Sequence, residues 1–194
     1  MALAPNHVPL FRRRRQGKTD YRKRAKALLG RLPLLSVRAS NRYVLAQLLQ
    51  PSLGGDRVLV AVHSKRLLKY GWRLSLKSTP ACYLIGYLLG KLALKKNVGE
   101  AILYMGVRPF TPGGRAAAVM AGALAAGLKI RADPSVLPPE DRLKGKHIQA
   151  YAQALRAESP ELYQSRFSDL LKRGGDPLQY EQEVERVLEA IRRE

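Results

Sequence analysis

The residues of this chain best suited to chemistry lie in one basic run, Phe11–Lys26, which reads FRRRRQGKTDYRKRAK. The run holds nine Lys or Arg residues and one acid, Asp20. Four consecutive arginines place cations on every face of a helix or strand, so no apolar face is left to join a core. One guanidinium group can donate two hydrogen bonds to the oxygens of one phosphate, and the rings of Phe11 and Tyr21 offer flat faces on which exposed bases can stack. We interpret the run as an arm that orders on contact with RNA.

Catalytic groups are sparse by comparison. A nuclease on an α/β sheet usually needs several carboxylates to hold metal ions, and the predicted sheet region offers only Asp56 and Glu100. His63 precedes Ser64, but no G-x-S-x-G elbow accompanies them, so we expect the pair to end a strand and cap a helix. Cys82 is the only cysteine and lies in an apolar segment, where a small core side chain is expected. The sequence predicts neither an enzyme nor a cofactor or metal site.

Two further segments have the residue types of a phosphate site. The loop Gly106–Arg115 follows a predicted strand and opens a predicted helix, so Arg108, Arg115 or the helix amides could hold an anion. It lacks the spacing of a Walker loop or a dinucleotide fingerprint, and a purely structural turn is an equal alternative. The second segment contains both cationic and aromatic side chains. The alternative interpretation of this segment is a solvated helix face with one buried tryptophan. Its members are His63, Lys65, Arg66, Lys69, Tyr70, Trp72 and Arg73.

These side chains must be positioned by a sheet. Leu34–Arg38, Tyr43–Leu49 and Arg57–His63 read as strands joined by short turns, which predicts an antiparallel meander. The first turn centres on Ser40 and Asn41, because Asn tolerates positive φ. Asn41 and Arg42 at its tip are candidates for a base or sugar contact, and an ordinary turn Asn with a solvated Arg is the alternative.

Helices complete the predicted sheet domain. Thr79 is the expected N-cap of a helix that runs to about Lys96, and Glu100–Met105 is the fourth strand. A helix between two strands implies a crossover and parallel pairing. The alanine-rich helix Arg115–Leu128 is expected to pack tightly against the sheet. Together these elements predict an α/β fold with a mixed sheet, in the order β-β-β-α-β-α.

Outside this domain, the chain has a basic front and a helical end. We divide it into an extended basic arm (1–32), an α/β core domain (33–132) and a helical C-terminal extension (133–194). Short helices are expected at 21–30, where Asp20 can cap the start, and at 65–70, where Gly71 ends the helix. The extension should hold helices at about 141–158, 162–172 and 178–193.

Charge is distributed unevenly along the 194 residues. Residues 1–132 carry 25 Lys or Arg and 3 acids, whereas residues 133–194 carry 10 and 12, within a formal net charge of +20. The polyanionic partner therefore belongs to the first two thirds of the chain. The lone cysteine and three scattered histidines fit a reducing compartment without a metal cluster. The longest apolar runs, 81–90 and 116–128, fall short of the roughly 18–20 residues that span a bilayer.

Several of these segments, in this order, resemble one known family. FRRRRQGKTDYRKR, VRASNRYVLAQLL, AVHSKRLLKYGW, STPACYLIGYLLGKLALKKNV, EAILYMG and TPGGRAAAVMAGALAAGL are similar to large-ribosomal-subunit protein eighteen in its archaeal/eukaryotic form. The likeness extends over about residues 8 to 193, and RLKGKHIQAYA and FSDLLKRGGDP resemble the extension of this branch. The sequence departs from the family pattern at Tyr104, at Ala125 and at residues 131–133.

The resemblance implies a structural RNA-binding protein of the cytoplasmic ribosome, without catalytic activity. It implies a mixed α/β domain that clasps 5S ribosomal RNA in the central protuberance, contact with large-subunit RNA, and assembly beside ribosomal protein five of the large subunit. No membrane and no small-molecule substrate are expected. Its implied RNA-binding segments, joined to the candidates above, give the expected contact residues: Phe11, Arg12, Arg13, Arg14, Arg15, Lys18, Thr19, Tyr21, Arg22, Lys23, Arg24, Asn41, Arg42, His63, Ser64, Lys65, Tyr70, Trp72, Arg108 and Arg115.

Two other classes of protein remain as alternatives. A metal-dependent nuclease or other RNA-modifying enzyme would need carboxylates that converge on the sheet, and its activity would be lost in EDTA. A peripheral membrane protein anchored by the basic run would bind anionic vesicles even in excess RNA.

Overall fold

A five-stranded mixed sheet, with strands in the order β3-β2-β1-β4-β5, forms the centre of the molecule. This computed structural model describes residues 9–193, so the first eight residues of the predicted 1–32 arm lie outside the described residues. The strands are β1 (Leu34–Ala39), β2 (Val44–Gln50), β3 (Arg57–His63), β4 (Glu100–Leu103) and β5 (Lys129–Ile130). The predicted α/β class, with its meander and parallel crossover strand, is confirmed.

Strand register follows the alternation of buried residues. β1 and β2 pair antiparallel with Leu35 opposite Leu48, and β4 pairs parallel to β1 with Leu34 opposite Ile102. The first turn is closed by Ser40, whose amide donates to the Tyr43 carbonyl at 2.8 Å. Asn41 does not have positive φ, so the reason predicted for this turn was wrong although the turn is present. Strand β5 was missed because two residues carry no periodicity.

Helices cover one face of the sheet and continue into the C-terminal extension. The α-helices are α1 (Arg12–Arg15), α2 (Tyr21–Leu29), α3 (Thr79–Lys95), α4 (Arg115–Ala125), α5 (Glu140–Lys144), α6 (Lys146–Glu158), α7 (Pro160–Lys172) and α8 (Tyr180–Arg193), and 3₁₀ helices lie at Ser64–Tyr70, Pro134–Val136 and Pro177–Gln179. In the described part of the chain, no helix has the length and apolar character needed to cross a bilayer.

Two predicted helix starts were displaced by one residue. Ser78, not Thr79, caps α3, because its Oγ accepts from the Ala81 amide at 3.4 Å. His63, not Ser64, caps the 3₁₀ helix, because its Nδ1 accepts from the Lys65 amide at 3.2 Å. Ser64 turns inward instead and accepts a hydrogen bond from the Val44 amide.

The alanine-rich helix α4 packs most closely on α3 rather than on the sheet. A Cβ at Gly86 would lie 1.9 Å from the Val119 carbonyl oxygen, and one at Gly122 would lie 2.0 Å from the Tyr83 carbonyl oxygen. Only hydrogen fits between these two backbones. The glycines and alanines that the sequence shows are therefore the contact surface between two helices.

The extension attaches to the core by its last helix. Tyr180, Val184, Val187 and Ile191 of α8 are buried within the main core cluster, while α6 and α7 form a small cluster of their own. The predicted helix at 141–158 is interrupted at Gly145, whose φ of +84° ends α5.

Candidate nucleic-acid interface

The basic run folds into two short helices joined by a turn at Gly17, whose φ is +62°. Arg13 donates from Nε to Thr19 Oγ1 at 2.9 Å, which ties α1 to the turn before α2. Asp20 caps α2 as predicted, because its Oδ1 accepts from the Arg22 and Lys23 amides, each at 3.1 Å. These bonds, chiefly the one from Lys23, lower the pKa of the Asp20 carboxyl. The single acid of the run therefore stabilises the N-terminus of α2 as its cap.

One ion pair anchors this basic helix to the sheet. The Arg24 guanidinium binds the Asp56 carboxylate at both oxygens, with Nη1 2.9 Å from Oδ2. The hydrogen bond from Arg24 lowers the pKa of Asp56, whereas its partial burial opposes that shift. Asp56 lies in the turn between β2 and β3, so the pair ties α2 to that turn of the sheet. Asp56, one of the two carboxylates considered above as catalytic candidates, therefore already forms an ion pair with an arginine.

The anchored helix brings distant cations around one cavity of about 380 Å³. Arg13, Lys18 and Arg24 reach it from the basic run, Arg38 from the end of β1, and Arg108 from the loop after β4. Among residues 9–193, Asp56 is the only acid that lines it, and Arg24 already pairs with that acid. Positive charge therefore remains in excess, which is the chemistry that binds a phosphate backbone.

Arg108 connects this cavity to the start of α4. Its Nη1 donates to the Ala39 carbonyl at 3.0 Å, and Arg108 also lines a neighbouring cavity of about 430 Å³ with Arg115, the first residue of α4. The Gly114 cap supplies no side-chain bond to the helix amides. The predicted pair Arg108 and Arg115 is thus brought together, next to the basic run.

The tip of the first hairpin carries a second group of predicted residues. Tyr43 packs its ring 5.1 Å from that of His63, and Lys65 places Nζ 5.0 Å from the centre of the Tyr43 ring. Asn41 and Arg42 lie exposed beside them. Tyr43 was not among the predicted contacts, although its place directly before β2 and next to Arg42 was a usable signal.

Two predicted contact residues, Trp72 and Ser64, have buried side chains that do not suit base stacking or phosphate binding, whereas the contact predicted for Tyr70 stays a prediction. Trp72 is 0% exposed, with its ring against Tyr180 and its Nε1 donating to the Ser75 carbonyl, so the expectation that it stacks on RNA is corrected to a core role. Ser64 is also fully buried, and its Oγ is used by the Val44 amide. Tyr70 is half-buried and packs partly against the core.

The remaining predicted residues of the basic run stay on its surface. Phe11 is 71% exposed, and its ring contacts that of Tyr21 at 5.3 Å. The other exposed members are Arg12, Arg14, Arg15, Arg22 and Lys23. Arg38 is a lining residue that the sequence reasoning missed, although its exposed place at the end of β1 could have indicated it. Within residues 9–193, no three His, Cys, Asp or Glu side chains group together as a metal site.

Comparison with known proteins points to the ribosome. A family model described as "Ribosomal large subunit proteins 60S L5, and 50S L18" matches residues 8–100. The chain is 44% identical over 192 residues to "Large ribosomal subunit protein uL18" of Caldivirga maquilingensis, covering 98% of this chain and 93% of that protein. It is 44% identical over 191 residues to the protein of that name from Korarchaeum cryptofilum, covering 98% and 97%. The Methanothermobacter thermautotrophicus protein of the same name is 41% identical over 191 residues, covering 98% of each.

Proposed function

The chain belongs to the uL18 family of large ribosomal subunit proteins, and we propose that in the subunit it binds 5S ribosomal RNA and helps attach it to large-subunit RNA in the central protuberance. Family membership makes it a structural constituent of the ribosome rather than an enzyme, as the sequence predicted. The nuclease alternative is thereby set aside.

One observation supports the RNA-binding proposal above all others: the convergence of Arg13, Lys18, Arg38 and Arg108 around one cavity. These residues come from three separate parts of the sequence, so their meeting is a property of the fold. Their like charges would repel one another in the absence of a polyanion, and phosphate would relieve that repulsion. The exposed arginines of α1 extend this basic surface.

The proposal is tested by the salt dependence of binding to a 5S ribosomal RNA transcript. The variant R13Q/K18Q/R38Q/R108Q removes four lining cations and keeps the Arg24–Asp56 anchor. If each cation contacts a phosphate, the slope of log K against log salt should become shallower by roughly 3, at about 0.7–0.9 per contact. Affinity at low salt should fall by orders of magnitude.

A matched control removes the same charge elsewhere on the surface. The variant R131Q/R142Q/R156Q/R166Q also loses four exposed cations, none of which lines the cavity. It should keep the wild-type slope almost unchanged, because distant charges are screened at physiological salt. Equal slopes for the two variants would refute the assignment of RNA binding to this surface.

Contact with large-subunit RNA and with ribosomal protein five completes the proposal and rests on family resemblance. Reconstitution provides the test: 5S ribosomal RNA, ribosomal protein five and this chain should form a complex that binds large-subunit RNA. The cavity variant should leave 5S ribosomal RNA in the unbound fraction. Normal incorporation of that RNA by the variant would contradict the proposed attachment role.

A further inference from the structure

A second basic groove lies between the first hairpin tip and the end of α7, far along the chain from the basic run. It encloses about 480 Å³, and its cations are Arg42, Lys77 and Arg173, with Asn41 beside them. In the part of the chain that the structure describes, Asp169 is the only acid that lines the groove. The groove is therefore positive, although the extension that contributes Arg173 has more acids than cations.

Close backbone packing holds the end of α7 at this position. A Cβ at Gly175 would lie 2.9 Å from Leu74 Cδ2 and 3.0 Å from the Arg73 carbonyl oxygen. Gly174 has a φ of +70°, which lets the chain turn directly after the helix. The two glycines thus allow the end of α7 to pack closely against the segment that carries Lys77. Arg173 is placed at the groove by the fold and not by sequence proximity to Arg42 or Lys77.

The acid in the groove is held by only one of these cations. Asp169 accepts from Arg173 Nη2 at 2.6 Å, and the two side chains remain 77% and 48% exposed. A solvent-exposed pair one helical turn apart contributes little stability, so a phosphate can compete for Arg173 at low cost. Arg42 and Lys77 are exposed and lie across the opening from that pair.

The groove is continuous with residues already assigned to the RNA-binding surface. Tyr43 lines it, and Lys65 and His63 contact the same ring. We propose that the groove binds the phosphate backbone of ribosomal RNA, so that the C-terminal extension completes a second RNA contact through Arg173. This inference rests on the proposed function, and it gives the extension a role of its own in RNA binding.

The test uses the full chain with two probes, transcripts of 5S ribosomal RNA and of large-subunit RNA. The variant K77Q/R173Q should make the salt slope shallower by roughly 1.5 with at least one probe, at about 0.7–0.9 per phosphate contact. The control R156Q/R166Q removes one exposed cation from α6 and one from α7, both outside the groove, and its slope should match that of the wild type.

A substitution of opposite sign sharpens the result. D169N frees Arg173 and removes the competing carboxylate, so RNA should bind about two- to fivefold more tightly. E161Q removes an acid at the start of the same helix, away from the groove, and should change affinity less.

The outcomes separate this inference from the proposed function. If the four-cation cavity variant flattens the slope while K77Q/R173Q behaves like its control with both probes, the groove does not bind RNA and the inference is overturned. If the groove variant flattens the slope and the cavity variant does not, the groove assignment stands and the proposed site on the basic run fails. Loss of binding to a protein partner without a change in either slope would also overturn the inference.

Discussion

Helix α2, close to the start of the described chain, and helix α8, at its end, attach to the same body by different means. Helix α2 buries only Ala27 and is fixed by the ion pair between Arg24 and Asp56. Helix α8 buries four apolar or aromatic side chains in the main core, and Lys91 Nζ donates to two carbonyls in its last turn, Ile191 at 2.8 Å and Arg192 at 2.9 Å.

The two kinds of attachment serve different purposes, because one stabilises the fold and the other leaves cations available for binding. Burial of apolar surface is the larger source of folding free energy, so α8 belongs to the stable core although it lies at the end of a charged extension. Helix α2 contributes little burial and keeps its cations in solvent, where a phosphate backbone can reach them. Position near the end of a chain therefore does not indicate whether a helix binds a partner or supports the fold.

The largest expected effect tests the apolar attachment of α8. Tyr180 is 0% exposed, packs 5.8 Å from Trp72 and donates from its hydroxyl to Ser78 Oγ at 2.8 Å. Tyr180→Ala should lower the free energy of unfolding by about 3–5 kcal/mol, because it leaves a cavity and removes the hydrogen bond to Ser78. Urea denaturation provides the measurement. Tyr151→Ala, at a position 53% exposed, is the matched control and should cost less than about 1 kcal/mol. Similar losses for both variants would show that α8 is not part of the core.

An intermediate effect is expected where α7 meets the core. Gly175→Ala places a methyl group 2.9 Å from Leu74 and against the Arg73 backbone, which cannot move freely. Overpacking of this kind costs about 1–3 kcal/mol in unfolding free energy. Gly99→Ala is the control, since nothing lies within 4 Å of its added Cβ. Unchanged stability in Gly175→Ala, measured by thermal unfolding, would mean that the end of α7 is only loosely placed.

The smallest effect tests the polar attachment of α2. A double-mutant cycle of Arg24→Gln and Asp56→Asn should give a coupling of about 0.5–1 kcal/mol, because both side chains retain solvent contact. Arg24 lowers the pKa of Asp56 below its ordinary 3.8. The stabilisation from this pair is therefore complete above that value and is lost as the pH falls through the lowered pKa.

The pH dependence supplies the check on this smallest prediction. Unfolding free energies of wild type and Asp56→Asn, measured between about pH 5 and 2, should converge toward the acid end. A constant difference across that range would contradict the role given to the ion pair. A coupling larger than that of Tyr180→Ala would reverse the comparison between the two helices.

Local sequence signals predicted most of the regular structure. The three meander strands follow from their aliphatic and β-branched runs, α3 follows from its start signal, and α4 follows from its alanine-rich composition. Asp20 predicted the start of α2, and Gly71 the end of the 3₁₀ helix, because capping depends on a few neighbouring residues. The break at Gly145 was missed, although glycine is the usual residue at such a left-handed helix end. The Tyr180 ring, 2.5 Å from the position of a Cβ there, adds a tertiary requirement for glycine that the sequence does not display.

The sequence predicted which residues belong to the candidate site better than it predicted their arrangement in space. Charge and order along the chain identified the basic run, Arg108 and Arg115, and the structure brings members of these groups together. The sequence did not separate Trp72 from the exposed residues around it, because burial of that ring depends on Tyr180, which lies in the C-terminal extension.

By itself the sequence determined the family, the excess of positive charge in the first two thirds, and the order of helices and strands. These properties depend on residue identity and on short-range spacing, which a linear chain displays directly. Only the tertiary structure decided which cations meet at a cavity, which aromatic rings are buried, and that α8 belongs to the core. Those outcomes depend on contacts between residues far apart in the chain, such as the ion pair of Arg24 with Asp56 and the packing of Trp72 on Tyr180, which form only when the chain folds.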